Sequence, residues 1–221
     1  MALKDYDRPS VTVDTVIFTV KDGELKVLLV KRGVEPFLGK WAIPGGFIKM
    51  NESLEDAAKR ELLEETGVKD VYLEQLYTFG DVNRDPRGRV LTVSYMALIN
   101  SDNVKLSAST DVVDAKWFSV KSLPQLAFDH KEILDYAIKR LKWKFEYTCV
   151  GFSLLSDRFR ISELQRLYEI VFDKEFDKRN FNKKIHSLNI LKEVGIDKQV
   201  SHRPPKLYSL KNKVPDVLNI I

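Results

Sequence analysis

The sequence predicts an α/β chain, with an α/β sandwich over residues 1–147 and then a small winged helix-turn-helix. Three observations predict it. Segments rich in β-branched and aromatic residues recur through the first part, broken early by only one long helical period. Past residue 150 the pattern changes to two amphipathic helices followed by a short ribbon. The charge changes with it: residues 1–149 hold 22 Lys+Arg against 23 Asp+Glu, whereas residues 150–221 hold 14 against 9. The expected domains are therefore 1–149 and 150–221.

Val11–Val20 and Leu25–Lys31 read as a hairpin joined by Lys21-Asp22-Gly23, whose Asp-Gly step favours the positive φ angles of a tight turn. Further strands are expected at Val71–Phe79, Val90–Ile99 and Ala115–Val120. Between them, Leu54–Thr66 has Ala57, Ala58, Leu62 and Leu63 spaced for a buried helical face, Ser53 or Asn51 as N-cap and Gly67 as the stop. A second helix follows Pro124, from about His130 to Phe145, with Ile133, Leu134, Ala137, Ile138 and Leu141 on one side. In the remainder, Ser162 is the expected cap of a helix reaching Phe172, and Asp177 caps another over Lys178–Leu188 with Phe181, Ile185 and Leu188 as its apolar stripe. Ile190–Lys192 and Leu207–Leu210 supply the ribbon, joined by a loop containing Arg203-Pro204-Pro205-Lys206.

With 44% hydrophobic and 31% charged residues, the composition is that of a soluble globular protein. No apolar run approaches the roughly 20 residues of a membrane span, so no membrane partner is expected. The N-terminus lacks the basic and apolar regions of an export signal, and a lone cysteine, Cys149, fits a reducing compartment. A cytoplasmic location is the expectation. Ten basic residues against two acids between Lys178 and Lys213 point to a polyanion as partner.

The chemistry concentrates between Gly45 and Val68. Glu61, Glu64 and Glu65 stand at i, i+3 and i+4, so three carboxylates share one helix face about 5–6 Å apart. A hard divalent cation, Mg²⁺ or Mn²⁺, relieves that repulsion and can bridge to a diphosphate. Gly45-Gly46 allows a sharp entry into the loop before the helix. The forked guanidinium of Arg60 suits a carboxylate, with Glu52 the expected partner.

Gly46, Glu52, Arg60-Glu61-Leu62, Glu64-Glu65 and Gly67-Val68 fill every fixed position of the Nudix box, and here the sequence resembles the Nudix hydrolase superfamily. The resemblance implies an α/β/α Nudix sandwich and a pyrophosphohydrolase in which water attacks a nucleoside diphosphate linked to another group. It implies metal ligands at the Gly45 carbonyl, Glu61 and Glu65, with Glu64 sharing the metal site or positioning water. Asp81, Asp85 and Asp114 are the candidates for a general base. A second cluster, Arg84-Asp85-Pro86-Arg87-Gly88-Arg89, sets three guanidiniums on one turn, as donors for phosphate oxygens or for a partner's carboxylates. With Trp41–Phe47 before it, it looks like the ADP-ribose-handling branch. Trp41 and Phe37 could stack on a nucleobase, but an aromatic beside a sheet more often belongs to the core.

The box followed by a basic winged helix resembles the bacterial Nudix-related transcription regulators, of which one group governs NAD metabolism and senses ADP-ribose and another senses a pentose. Leu126–His130 and Asp177–Phe181 carry the resemblance across nearly the whole chain. It implies duplex DNA as a partner and a two-fold dimer reading a palindrome. Lys178, Arg179, Asn180, Lys183 and Lys184 then lie on the recognition helix. Asn180 is placed to read adenine, the basic residues to hold phosphates, and Arg203 and Lys206 to sit on the wing. Three readings are open: a hydrolase of ADP-ribose or a similar nucleoside diphosphate sugar, giving AMP and a sugar phosphate; a repressor whose Nudix domain mainly senses; and an enzyme whose tail only mediates contacts. Several sensors of this type have eroded boxes, and the intact box here favours retained hydrolysis.

Overall fold

The computed structural model describes residues 7–68, 72–100, 112–198 and 204–220. They divide into two compact units, residues 7–18, 26–68, 72–98 and 112–137 in the first and 19–25, 99–100, 138–198 and 204–220 in the second. Composition puts the boundary at 149/150; compactness puts it at 137/138.

The first unit is built on one mixed sheet. Strands β1 (Ser10–Lys21), β2 (Glu24–Arg32), β3 (Trp41–Ala42), β6 (Val90–Leu98) and β5 (Tyr72–Phe79) lie in the order β3-β2-β1-β6-β5. A short β4 (Gly45–Phe47) pairs with β1, and β7 (Val112–Ser119) pairs with β2. β1 runs parallel to β6, from Ser10 opposite Val90 to Phe18 opposite Leu98. As a central strand between β2 and β6 it is buried almost without a break, its polar residues Thr12, Asp14, Thr15 and Thr19 included.

Helix α1 (Leu54–Thr66) begins where Ser53 accepts the Asp56 N–H at 3.1 Å. It ends at Gly67, whose φ of 74° is the left-handed conformation that glycine adopts without strain, its N–H reaching the Leu63 carbonyl at 2.9 Å. Ala57 and Ala58 pack into a cluster with Val13, Val93 and Tyr95. Leu63, expected on the buried face, is 48% exposed; the inner rows are instead Ala58-Leu62-Thr66 and Ala57-Glu61-Glu65, each at a spacing of four. The apolar row anchors the helix, and the adjacent row delivers two carboxylates. Helix α2 (His130–Tyr147) starts in this unit, where Tyr136 meets Tyr77 and Phe79 of β5 at ring distances of 5.1 and 6.0 Å.

The second unit centres on Tyr168, fully buried in α3 (Ile161–Phe172). Its ring lies 5.2 Å from Phe145, 6.2 Å from Phe172 and 5.6 Å from Phe181, and its hydroxyl donates to the Phe145 carbonyl at 3.1 Å. That packing assigns the end of α2 to this unit. Arg160, not Ser162, is the N-cap of α3, because Glu163 at the third helical position reaches back to accept the Arg160 N–H at 2.6 Å. Helix α4 (Lys178–Ser187) is capped by Asp177, whose carboxylate accepts the Asn180 N–H at 2.8 Å. Strands β8 (Leu191–Ile196) and β9 (Lys206–Leu210) form an antiparallel ribbon, and a backbone bridge from Phe159 to Tyr208 adds a third segment. Among the described residues no helix is long and apolar enough to cross a membrane.

Candidate functional site

In the first unit, β1, β2, β4, α1 and the start of α2 surround a cleft of about 360 Å³. The antiparallel register of β4 on β1 sets Gly45 against Asp14 and Gly46 against Val13. A Cβ on Gly45 would lie 2.2 Å from the Val13 carbonyl oxygen, and one on Gly46 would lie 2.4 Å from Glu61 Oε1. Glycine is needed at both because the backbone passes so close to its neighbours.

Arg60 straps the loop to the helix. Its Nε and Nη2 grip Glu52 at 2.9 and 2.6 Å, its Nη1 meets Glu61 at 2.6 Å and Glu64 at 3.2 Å, and Nη2 also donates to the Phe47 carbonyl at 3.2 Å. The guanidinium holds the Glu52 carboxyl at about 2, and hydrogen bonding to Glu52 raises the Arg60 pKa in return. The carboxylate trio is therefore relieved in part from within the chain. It also does not act as a trio. Glu61 and Glu65 line the cleft, whereas Glu64 turns outward and is half exposed. Among the described residues no three His, Cys, Asp or Glu side chains converge on one point to hold a metal ion.

Glu65 accepts the Gly45 N–H at 2.9 Å, yet burial pushes its carboxyl up to about 8, with Glu61 adding to the shift. Burial raises Glu61 as well. Two such carboxylates, deprived of water and facing one cleft, are hard oxygen donors that a divalent cation would keep ionised, so the residues fit a metal of the Mg²⁺ class. The rest of its shell would come from backbone, water or a diphosphate.

The loop after β5 is sorted by its ion pairs. Arg84 is buried and bound in bidentate fashion to Asp129, both contacts at 2.8 Å, with Asp14 3.7 Å away. Arg87 pairs with Asp85 at 2.7 and 3.0 Å and stands over the rings of Phe47 and Phe128 at 5.0 and 5.5 Å. Both line the cleft. Arg89 does not; it donates to the carbonyls of Gly80 and Asp81 at 2.8 and 3.1 Å and closes its own turn. Of the three candidate bases only Asp85 borders the cleft. Burial raises its pKa, but the hydrogen bonds from Arg87 outweigh this and leave it below the ordinary range. Asp81 accepts the Asn83 N–H at 2.8 Å, and Asp114 pairs with Lys116. Trp41 packs edge-on against Phe118 at 4.6 Å, as a core residue does.

Four cleft residues escaped the sequence reading: Asp14, Arg32, Phe128 and His130. His130 Nδ1 accepts the Ile43 N–H at 2.8 Å, which leaves the ring proton on Nε2, 3.9 Å from Asp14; burial lowers its pKa and keeps it neutral. A signal existed for two of them. Asp14 is the one carboxylate inside the β-branched run of β1, and Arg32 is a charge at a strand's last residue.

In the second unit, α4 buries Phe181 and Ile185 and exposes Lys178, Arg179, Asn180 and Lys183, with Lys184 partly covered. Among the described residues no carboxylate pairs with any of these four cations. Lys206 on β9 does pair, with Glu193 at 2.7 Å across the ribbon. Arg203 and His202 lie outside the described residues. A helix whose apolar stripe is buried and whose opposite face is cationic and unpaired, beside a β-ribbon, can lie in a major groove.

Residues 9–137 match the NUDIX domain family, and residues 151–210 match the family described as the NrtR DNA-binding winged helix domain. An ADPR responsive transcriptional repressor, NtrR, of Acinetobacter baylyi is 36% identical over 208 residues, 92% of this chain and 83% of that protein. This chain belongs to the NrtR family. Shewanella oneidensis NrtR in complex with a 27mer DNA superposes with a TM-score of 0.80 at 38% identity, covering 94% of this chain and 99% of that one. The NUDIX domain of the same NrtR, crystallised with ADP ribose, superposes at 0.58 with 43% identity over 64% of this chain and 94% of that one. The Nudix part is also similar to an ADP-ribose pyrophosphatase of Methanocaldococcus jannaschii, 37% identical over 140 residues, 63% of this chain and 77% of the enzyme. The NrtR family thus joins, in one chain, a Nudix fold with enzymatic relatives and a DNA-binding winged helix.

Proposed function

We propose that this chain is an ADP-ribose-responsive transcription regulator, in which the Nudix cleft takes the effector and the winged helix reads duplex DNA. The observation that supports it best is the cationic face of α4, unpaired among the described residues, in a chain that also keeps a charged cleft. Residues 150–221 act as the DNA-binding module and residues 1–149 as the effector module. Lys178, Arg179, Lys183 and Lys184 hold phosphates, with Arg203 and Lys206 on the wing, and Asn180 reads a base edge. A two-fold dimer would match a palindromic site, and the cytoplasm is where such a protein meets its DNA. The cleft's guanidiniums favour a diphosphate over an uncharged pentose. The test is a gel-shift titration of the whole protein on a palindrome upstream of NAD-related genes, at low and moderate salt. Binding that weakens on adding ADP-ribose supports the reading; no affinity for any duplex at low salt refutes it.

A second reading, residual hydrolysis, is favoured by the complete set Glu52, Arg60, Glu61, Glu64 and Glu65. Glu61, Glu65 and the Gly45 carbonyl would hold Mg²⁺, with Glu64 outside the cleft as a partner of Arg60. A bound ion supplies a Lewis acid that polarises the diphosphate and acidifies water. Arg60 keeps Glu52 and Glu61 oriented, while Arg84 and Arg87 border the phosphates. Water adds to one phosphorus, the bridging P–O bond breaks, and AMP and ribose phosphate leave. Arg87 lowers the basicity of Asp85, so turnover that used it as the base would be slow. Release of AMP that requires Mg²⁺ and is lost in Glu61→Gln or Glu65→Gln supports this; no release from ADP-ribose or any related nucleotide sugar refutes it.

A further inference from the structure

One guanidinium in the cleft, which Lys49 also lines, is unaccounted for by the box or by the arginine-rich loop. Arg32, half-buried at the end of β2, donates from Nε to the Pro36 carbonyl at 2.8 Å and from Nη2 to the Val34 carbonyl at 3.5 Å. Its Nη1 has no hydrogen-bond partner, and no carboxylate pairs with it, among the described residues. The other three guanidiniums in the cleft each hold a carboxylate: Arg60 that of Glu52, Arg84 that of Asp129, Arg87 that of Asp85. Arg32 also shares a ring with one of them. It stands 4.9 Å over Phe128, where Arg87 stands at 5.5 Å, and the two act on each other as like charges. Phe128 is held in place at a cost. Its φ is +49°, that of its edge-on neighbour Phe37 is +67°, and their rings are 4.7 Å apart. Left-handed backbone at two aromatic residues costs about 1–2 kcal/mol each and persists only where the surroundings impose it.

We propose that Arg32 is the anion receptor of the cleft and sets its specificity for a diphosphate, which lies between Arg32 and Arg87 over the ring of Phe128. The proposal rests on the reading of the cleft as a nucleoside diphosphate sugar site. An anion between two guanidiniums removes their repulsion, and the free Nη1 edge offers it charge-assisted hydrogen bonds in the fixed fork that suits phosphate oxygens. Because Nε and Nη2 already hold the carbonyls of residues 34 and 36, the fork is aimed before the ligand arrives.

Calorimetric titration of the whole protein tests this, with ADP-ribose and inorganic pyrophosphate as separate probes. Arg32→Gln is expected to weaken both about 10- to 100-fold with the melting temperature little changed. Wild-type affinity for ADP-ribose in a folded Arg32→Gln protein overturns the proposal. If the wild type ignores ADP-ribose but binds pyrophosphate through Arg32, the effector assignment falls and the anion receptor stands. If the glutamine variant melts early, Arg32→Lys keeps the charge and removes the fork. About tenfold weaker binding of pyrophosphate then supports the proposal, and unchanged binding overturns it.

Discussion

Replacing Gly45 and Gly46 one at a time by alanine separates the fold from the site. A methyl carbon and a carbonyl oxygen ordinarily stay about 3.3 Å apart. On Gly45 the new carbon would stand 2.2 Å from the Val13 carbonyl oxygen and 2.8 Å from Asp14 Cα, so the overlap is with the backbone of the central strand. Relief requires β4 to leave β1, at a cost of about 3 kcal/mol, or about 6–12 °C in melting temperature for a chain of this size. On Gly46 the overlap is with the end of one side chain, Glu61 Oε1 at 2.4 Å and Cδ at 2.6 Å. That carboxylate swings away, and the fold loses about 1 kcal/mol or less. The site loses more, because the displaced group is both a partner of Arg60 and one of the two carboxylates that α1 presents to the cleft. Thermal melts with calorimetric titration of ADP-ribose in Mg²⁺ decide the matter. Gly45→Ala should melt early; Gly46→Ala should melt near wild type and bind at least tenfold more weakly. Equal melting of the two variants, or wild-type affinity in Gly46→Ala, refutes the reasoning.

Other outcomes follow from the same contacts. Glu65 is expected to make stability fall with rising pH: between 4.5 and about 8 the unfolded chain has released a proton that the folded chain retains. Urea unfolding in chelator at about pH 5 and pH 8.5 measures it, and Glu65→Gln should flatten the difference; an unaltered slope refutes it. Arg84→Ala leaves Asp129 and Asp14 without their cation inside the protein and should cost about 3 kcal/mol in urea unfolding. On a bound operator, Lys183→Ala should lower the salt slope by about 1 on every sequence, whereas Asn180→Ala should cost about 1–3 kcal/mol on the cognate sequence alone.

What the sequence reveals depends on how locally a feature is encoded. Helix α1 is legible from Ser53 to Gly67 because its cap, apolar spacing and stop are all written within fifteen residues. The Asp177 cap and the Phe181–Ile185 stripe make α4 legible in the same way. The Glu52–Arg60 pair is legible because a fork and a carboxylate are complementary across one loop. What cannot be read is what depends on register between distant strands. Glu64 and Glu65 look equivalent in sequence, yet only Glu65 faces the cleft, because the sheet beneath α1 selects the rows that point inward. Arg84, Arg87 and Arg89 are likewise alike on paper, and their fates are set by Asp129 at 45 residues' remove, by Asp85, and by two carbonyls of the turn. Strands of two and three residues, β3 and β4, have no period to detect.

Arg60 gives the box one more property. Bonds from a single guanidinium to Glu52, Glu61, Glu64 and the Phe47 carbonyl tie the approach loop to the helix using only this chain's own atoms. The loop before α1 is thus held in place by contacts within the chain itself. One side chain thereby fixes the spacing between the approach loop and the carboxylates of α1.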